Sequence, residues 1–375
     1  MGDDMKICFF IGSMIEKGGS ERVLSNLTKY FSTYTDVELL TILNSRIAYK
    51  IDDKVNVTHL DKKEILEYKS TNKFISILKY IIRYGRYRKY LKKTKPDVVV
   101  SFMPEASFLS LLTPKSKKTR RIISVRNDPS KEFKNSIYKF LSKELYKRAD
   151  GFVFQTIDAK NYFSKEIQSK SIVIPNPINE EFIEDISIIN KKNNSSIVSV
   201  GRLDSQKNHF LLIDSFKEVL SKFPDATLVI YGEGSLRNKL EEYVKRNGIE
   251  DKIKLPGRVE NIKEMIKEAN CFVLSSNYEG MPNALMEAMA LGLPVVSTDC
   301  PCGGPRFLIK NNVNGILVDT NNVKQMSEAI IKILSNKEFS KYISNNAKKI
   351  VEDLNPKKIN KKWYDYVLKI YNEEI

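Results

Sequence analysis

No apolar run in this chain reaches the roughly 20 residues that a membrane-spanning helix needs, so an integral helical membrane protein is not expected. Cysteine is scarce: Cys8, Cys271, Cys300 and Cys302 are the four. Two of them lie in apolar, strand-like runs, and Cys300-Pro301-Cys302 has no histidine or second cysteine pair beside it. Neither a zinc site nor a disulfide framework is expected, and free thiols in a reducing, cytosolic setting are. The two histidines, His59 and His209, are read as structural rather than catalytic. No Asp-x-Asp occurs, so no metal is expected to bridge phosphates through such a pair. The stretch from Met1 to Ile11 lacks the basic segment and apolar run of a secretory signal. The glycine loop from Gly12 to Gly19 does not fit G-x-G-x-x-G, which argues against NAD binding.

What is present is a globular composition, 42% hydrophobic and 29% charged, over 375 residues, enough for two domains. The net charge of +16 is unevenly placed. Residues 1–176 hold 34 basic and 19 acidic side chains, whereas 177–375 hold 28 and 27. A lysine-rich proteome would raise both halves alike, so the basic half is expected to face a polyanion or an anionic membrane. Its densest segment, 73–95, carries nine basic residues and no acidic one, interleaved with Phe74, Tyr80, Tyr84, Tyr87 and Tyr90. It reads as an amphipathic helix interrupted by Gly85. Such a helix suits an anionic lipid surface or the diphosphate of a lipid-linked molecule, and equally a core-packed helix with a solvated basic face. No nucleic-acid-binding motif accompanies it, and no nucleic-acid partner is expected.

Short apolar runs recur along the chain and read as buried parallel strands. Met5 to Ile11 leads into the glycine loop, with Ser20 as a candidate N-cap for an amphipathic helix through Val23, Leu24 and Leu27. Strands near 37–43 and 55–60 follow. Asp97 to Phe102 ends in Met103-Pro104-Glu105, and Arg121 to Val125 ends in Arg126-Asn127-Asp128; both ends are expected to open into one cleft. Pro175-Asn176-Pro177 suits a domain junction. The arrangement then restarts. Ile197 to Val200 ends in Gly201-Arg202-Leu203-Asp204-Ser205-Gln206-Lys207-Asn208, and an Arg and Lys buried at a strand's carboxyl end can neutralise a diphosphate. Cys271 to Leu274 runs into Ser275-Ser276-Asn277-Tyr278-Glu279-Gly280-Met281-Pro282-Asn283, then a helix through Glu287 and a strand at Val295. Glu279 sits where open α/β sheets bind ligands, and the free N–H groups near Asn283 form an anion site. A carboxylate for hydroxyls beside a phosphate-holding helix start suits a nucleotide sugar.

Glu279 and Glu287 frame seven residues. The surrounding E-G-x-P-x-x-x-x-E-A-x-A-x-G-x-P-V-V pattern resembles that of family-4 retaining glycosyltransferases with the GT-B fold, as in bacterial polysaccharide and lipid-linked oligosaccharide assembly. Gly201-Arg202-Leu203 with Lys207-Asn208, Gly18-Gly19-x-Glu21-Arg22 and Val173-Ile174-Pro175-Asn176 resemble further motifs of that family. The resemblance implies an α/β protein of two Rossmann-like, doubly wound domains facing across a cleft. Residues 1–176 would bind acceptor, 177–355 would bind nucleotide sugar, and a terminal helix, 356–375, would pack back on the first. It implies a UDP-sugar as substrate, with no cofactor and no metal. Arg202 and Lys207 would stabilise the departing UDP, Glu279 would contact the donor sugar and Glu287 the ribose hydroxyls. Gly18 and Gly19 would let backbone approach the donor phosphate. Arg258 and Val259 would supply backbone contacts to the base, and Gly280, Met281, Pro282 and Asn283 would complete the donor site.

Two departures stand out. Many members place a histidine after the strand that ends here at Val125, where this chain has Arg126-Asn127. Phe307 stands where an acidic residue is frequent, in a loop resembling C-P-x-G-P-x-E. Glu105, Arg126 and Asn127 are the acceptor-side candidates. The expected activity moves a hexose or N-acetylhexosamine (GalNAc, GlcNAc, Gal or Glc) from UDP to a polyprenyl-diphosphate-linked or other lipid-linked glycan. The expected place is the cytoplasmic face of the plasma membrane, with 73–95 on anionic lipid. The competing readings are a UDP-sugar epimerase of the same architecture and a non-enzymatic basic protein that binds polyanions or membranes.

Overall fold

A computed structural model of the chain describes residues 5–16, 18–63, 73–114, 118–183 and 195–373, with side chains in the helix beginning at Lys73 described from Ile77 onward. The expectations for the Lys73 and Phe74 side chains therefore lie outside the described residues. The chain divides into two compact units, Met1–Pro175 with Lys357–Ile375, and Asn176–Pro356.

The first unit is built on seven parallel strands: β1 (Lys6–Ile11), β2 (Asp36–Thr41), β3 (Asn56–His59), β4 (Val98–Phe102), β5 (Arg120–Val125), β6 (Gly151–Phe154) and β7 (Ser171–Val173). Their order is β3-β2-β1-β4-β5-β6-β7. Ile7 pairs with Val37 on one side and Val98 on the other. Strands covered on both faces need continuous apolar runs, and all five residues of β4 are buried. The second unit has six parallel strands: β8 (Ser196–Val200), β9 (Thr227–Tyr231), β10 (Ile253–Gly257), β11 (Cys271–Leu274), β12 (Val295–Thr298) and β13 (Ile316–Val318). They run β10-β9-β8-β11-β12-β13, the same winding repeated. Its core gathers Ile197, Leu212, Phe216, Leu228, Val273 and Val296.

Helix α1 (Gly19–Phe31) buries Val23, Leu24, Leu27 and Phe31, one stripe at helical spacing. Its N-cap is Gly18, in extended conformation, not Ser20. Ser20 lies inside the first turn, and its hydroxyl reaches the Met103 sulfur at 3.8 Å. Helix α2 (Lys73–Thr94) runs unbroken through Gly85, against the expected interruption. The reason is tertiary. Tyr87 stacks on Phe10 with centroids 4.9 Å apart, and the Tyr90 hydroxyl lies 3.2 Å from both Cys8 Sγ and Glu38 Oε2. Burying two such rings outweighs the ~1 kcal/mol that one glycine costs a helix relative to alanine. Helix α3 (Met103–Leu112) packs beside it, and α4 (Ser136–Leu145) packs against α3. The last helix, Pro356–Asn372, belongs to this unit. Trp363 stacks on Phe102 at 5.9 Å, while the Tyr366 hydroxyl accepts from Phe152 N (2.9 Å) and donates to the Lys170 carbonyl (2.6 Å).

Candidate active site

In both sheets the strand order reverses at the two central strands, the switch point at whose carboxyl end open α/β sheets bind ligands. In the second unit those strands are β8 and β11, paired through Cys271 and Ile197. The loop after β8 carries Arg202, Gln206 and Lys207; the loop after β11 carries Ser276 and Glu279. The two are stitched together. Ser275 Oγ donates to the Lys207 carbonyl (2.8 Å), Asn277 N to the Gln206 carbonyl (2.7 Å), and Asn277 Nδ2 to the Ser205 carbonyl (2.8 Å).

Across this seam Lys207 Nζ meets Glu279 Oε1 at 2.5 Å. Ser276 Oγ donates to the same oxygen at 2.6 Å. Gln206 Nε2 donates to the Tyr278 carbonyl at 3.1 Å and stands 3.5 Å from Glu279 Oε2. Its Oε1 accepts from Arg202 Nη2 at 3.1 Å. Asp204 Oδ1 accepts from the Gln206 and Lys207 N–H groups (3.0 and 3.2 Å), the local bond by which an aspartate sets a turn. The Lys207 stem lies over Gly201, where a Cβ would meet it at 3.1 Å. Glu279 keeps 7% of its side-chain surface exposed; this nearly dry carboxylate is held by an ammonium and a hydroxyl, the pairing a buried charge requires.

Arg202 is not buried as expected. Its side chain is 59% exposed, running along the surface to Gln206 and to Asp204 Oδ2 at 3.3 Å. Only its backbone is held inside: its carbonyl lies 3.2 Å from His209 Nε2. Burial, with Lys207 nearby, pushes the His209 imidazole down to about 4, so it is neutral at physiological pH.

The far side of the Glu279 loop is gripped by the segment after β12. Glu279 N donates to the Pro301 carbonyl (2.6 Å) and Cys302 N to the Glu279 carbonyl (2.9 Å). A Cβ on Gly304 would stand 1.8 Å from the Gly280 carbonyl oxygen, so only glycine permits this approach. Burial, and then the Glu279 charge, pushes the Cys300 thiol up to about 12, which leaves it an inert packing group. Gly280, Met281 and Pro282 are buried and lead into α5 (Asn283–Ala290), with Glu287 buried on it one turn after Asn283. The Asn283 carboxamide oxygen accepts from Asn176 Nδ2 at 2.8 Å. Arg258 and Val259 follow β10, and the exposed Arg258 lies near Glu233.

The remaining candidates belong to the first unit, at its own central strands β1 and β4. Gly18 and Gly19 open α1, and a Cβ on Gly12 would lie 3.6 Å from Glu105 Oε2. Glu105 is exposed in the first turn of α3. Arg126 is buried, its guanidinium 5.7 Å from the Phe102 ring centre; burial pulls it down to about 9, leaving it cationic at neutral pH. Asn127 Oδ1 accepts from Asp128 N. Among the described residues, no cluster of three or more His, Cys, Asp and Glu side chains could hold a metal ion. Sequence reasoning missed Gln206 and Ser276. Both are unspecified positions inside recognised stretches, and their partners lie 73 and 3 residues away.

Comparison with known proteins places the whole chain. The family described as glycosyl transferases group 1 matches residues 180–350, and glycosyltransferase family 4 matches residues 17–182. An uncharacterized glycosyltransferase of Methanocaldococcus jannaschii is 30% identical over 81% of this chain and 87% of its own length. The chain belongs to the family-4 glycosyltransferases. Another relative of this glycosyltransferase is the Campylobacter jejuni GalNAc-alpha-(1->4)-GalNAc-alpha-(1->3)-diNAcBac-PP-undecaprenol alpha-1,4-N-acetyl-D-galactosaminyltransferase, 27% identical over 98% of this chain and 99% of that one. The crystal structure of Anabaena Alr3699/HepE in complex with UDP superposes with a TM-score of 0.79 at 17% identity, covering 97% of this chain and 100% of that one. That likeness fixes the fold as GT-B. The glycosyltransferase thus carries its Lys–Glu pair at the switch point of the second unit's sheet, where an ammonium can meet an anion and a carboxylate oxygen can accept from a hydroxyl.

Proposed function

We propose that this glycosyltransferase moves a hexose or N-acetylhexosamine from a UDP-sugar to a lipid-linked glycan, with retention at the anomeric carbon and no metal. The observation that carries the reading is the Lys207–Glu279 pair at 2.5 Å, bracketed by Ser276 and Gln206. In this reading Lys207 and the exposed Arg202 receive the charge that develops on the departing diphosphate. Glu279, its Oε1 accepting from Lys207 and Ser276, turns Oε2 to the donor sugar. Glu287 binds the ribose hydroxyls and the Arg258-Val259 backbone meets the base. Gly18 and Gly19 come to the donor phosphate, and Glu105, Arg126 and Asn127 serve the acceptor. The name of the Campylobacter relative, with its undecaprenyl-diphosphate acceptor, supports a lipid-linked acceptor here. Among the described residues no helix is long and apolar enough to cross a membrane. The basic α2 then supplies peripheral attachment to the cytoplasmic face.

The test is a thermal-shift panel of UDP-sugars on the full chain. A cognate donor at 100 times its dissociation constant should add about 2.7 kcal/mol to the stability of the site's unit. No shift with any UDP-sugar, against a shift with another nucleotide sugar, would overturn the donor assignment. The positioning role of Gln206 gives a second expectation. Gln206→Ala should lower kcat about tenfold, one lost hydrogen-bond set being worth roughly 1.4 kcal/mol. Donor KM should change less, because the side chain orients Arg202 and Glu279 without touching the nucleotide. An equal rise in KM with kcat intact would place Gln206 in binding instead.

A further inference from the structure

The exposed apolar residues of the first unit are not scattered. Ile77, Leu78, Ile81 and Ile82 on α2, with Ile137 and Phe140 on α4, are each between 44% and 66% exposed. The two helices are neighbours around α3: Phe108 of α3 meets Tyr138 of α4 edge-on with centroids 5.5 Å apart. Tyr80 of α2 lies within electrostatic reach of both Tyr138 and Glu105. Surface leucines and isoleucines one at a time need no explanation, but six on two adjoining helices do. Exposed lysines intersperse them: Lys79 on α2, Lys134 just before α4, and Lys139 and Lys143 on it. The acidic counterweight is small. Glu144 is engaged by Lys147 at 3.1 Å, and Arg83 of α2 is matched by Asp61 at 2.6 Å, leaving exposed Glu105. Further along α2 the exposed face becomes purely basic, through Arg88, Lys89, Lys92 and Lys93.

We propose that α2 and α4 together form a lipid-inserting face, so that the enzyme docks on an anionic bilayer through apolar side chains from two helices rather than through the charge of α2 alone. The chemistry decides the occupant. Apolar side chains fringed by lysines match the boundary between acyl chains and anionic headgroups. Against a second copy of the chain, a two-fold contact would set each lysine-fringed patch against an identical one, like charge on like. From Ile77 to Arg88 is about 16 Å along the helix at 1.5 Å per residue. The start of α2 therefore enters with α4 while its basic second half lies along the headgroups. The proposal deepens the lipid-linked-acceptor reading, and rests on it for why the enzyme should seek a membrane at all.

The experiment is flotation of the full chain with vesicles of phosphatidylcholine and phosphatidylglycerol, at low salt and at about 1 M salt, where the Debye length is about 3 Å. Wild type should stay largely bound at high salt, because insertion is not screened. The double variant Ile137→Lys, Phe140→Lys should lose at least about tenfold in high-salt partitioning, although it adds positive charge. Complete release of wild type by salt, or undiminished flotation of the lysine variant, would overturn the inserting face and leave charge alone. A concentration-dependent dimer broken by the same substitutions, with flotation unchanged, would assign the patch to a second copy and overturn it equally. The UDP-sugar thermal shift of the same samples reads the donor site apart from lipid. Loss of flotation with the shift intact isolates this face, and loss of the shift with flotation intact faults the transferase reading instead.

Discussion

Replacing Lys207 by alanine is expected to cut donor turnover about 10²–10³-fold, the usual cost of one lost charge-stabilising donor. Two effects add in the same direction. The first is chemical: in the proposed reaction the ammonium beside Glu279 takes up charge on the leaving diphosphate. The second is electrostatic: Glu279 loses a partner at 2.5 Å while staying nearly dry. A buried carboxylate left with Ser276 and Gln206 alone is strongly destabilised, by about 3–5 kcal/mol when its pair is broken. Part of that is relieved by water entering beside Gly201. Lys207→Arg separates the two effects. It keeps the charge but puts a wider planar fork in place of the compact ammonium beside Glu279 Oε1. Turnover is measured as UDP release at saturating donor, alongside thermal unfolding. Activity of Lys207→Ala above a tenth of wild type, with folding intact, would remove Lys207 from the mechanism.

The elements of that site were unequally legible. The strand Cys271–Leu274, the loop to Glu279 and the helix bearing Glu287 follow from an uninterrupted apolar run, then Gly280 and Pro282, then apolar residues at helical spacing. Each is a local signal, and local signals survive folding when tertiary packing agrees with them. Lys207 and Glu279 were legible as a pair through motif resemblance, and the sheet order brings them together at the switch point. Gln206 was not legible. A glutamine in a turn is unremarkable until the chain returns 72 residues later with the Tyr278 carbonyl. Arg202 went wrong in the opposite sense. An arginine at a strand's carboxyl end reads as buried, but the Asp204 turn directs its side chain outward, where 59% of it meets water. Gly85 misled for a related reason: a Cβ there would meet nothing within 4 Å, so no close approach calls for the glycine, and the helix continues on the strength of Tyr87 and Tyr90. Ser20 misled because Gly18 can take the extended cap conformation and the first turn closes on its carbonyl, Arg22 N donating at 3.2 Å.

Trp363→Ala is expected to destabilise the first unit strongly. Trp363 is fully buried on the last helix and stacks on Phe102. Its neighbour Tyr364 packs against Phe31 and Tyr34 with centroids 5.2 and 5.1 Å apart, and Tyr366 hydrogen-bonds across β6 and β7. The helix is thus a wall of the first unit's core, although it is reached only after the chain has passed through the second unit. Truncating a buried tryptophan removes its transfer free energy and opens a cavity, about 3–5 kcal/mol together. For a unit of this size each kcal/mol moves Tm by about 2–4 °C, so the first unit's transition should fall by roughly 10 °C. Trp363→Phe should cost much less, since it keeps an aromatic face for Phe102 and removes an indole N–H that has no hydrogen-bond partner among the described residues. The two units need not melt together, so calorimetry is the right measurement. The UDP-sugar shift of the second unit should survive Trp363→Ala, because Lys207, Glu279 and Glu287 all lie outside the damaged core. Phe102 closes β4 three residues before Glu105, and its ring centre lies 5.7 Å from the Arg126 guanidinium. The cavity would therefore loosen the acceptor-side residues first, and acceptor KM should rise before donor KM does. A fall in Tm below about 2 °C would mean that the last helix is a passenger on the first unit rather than part of its core.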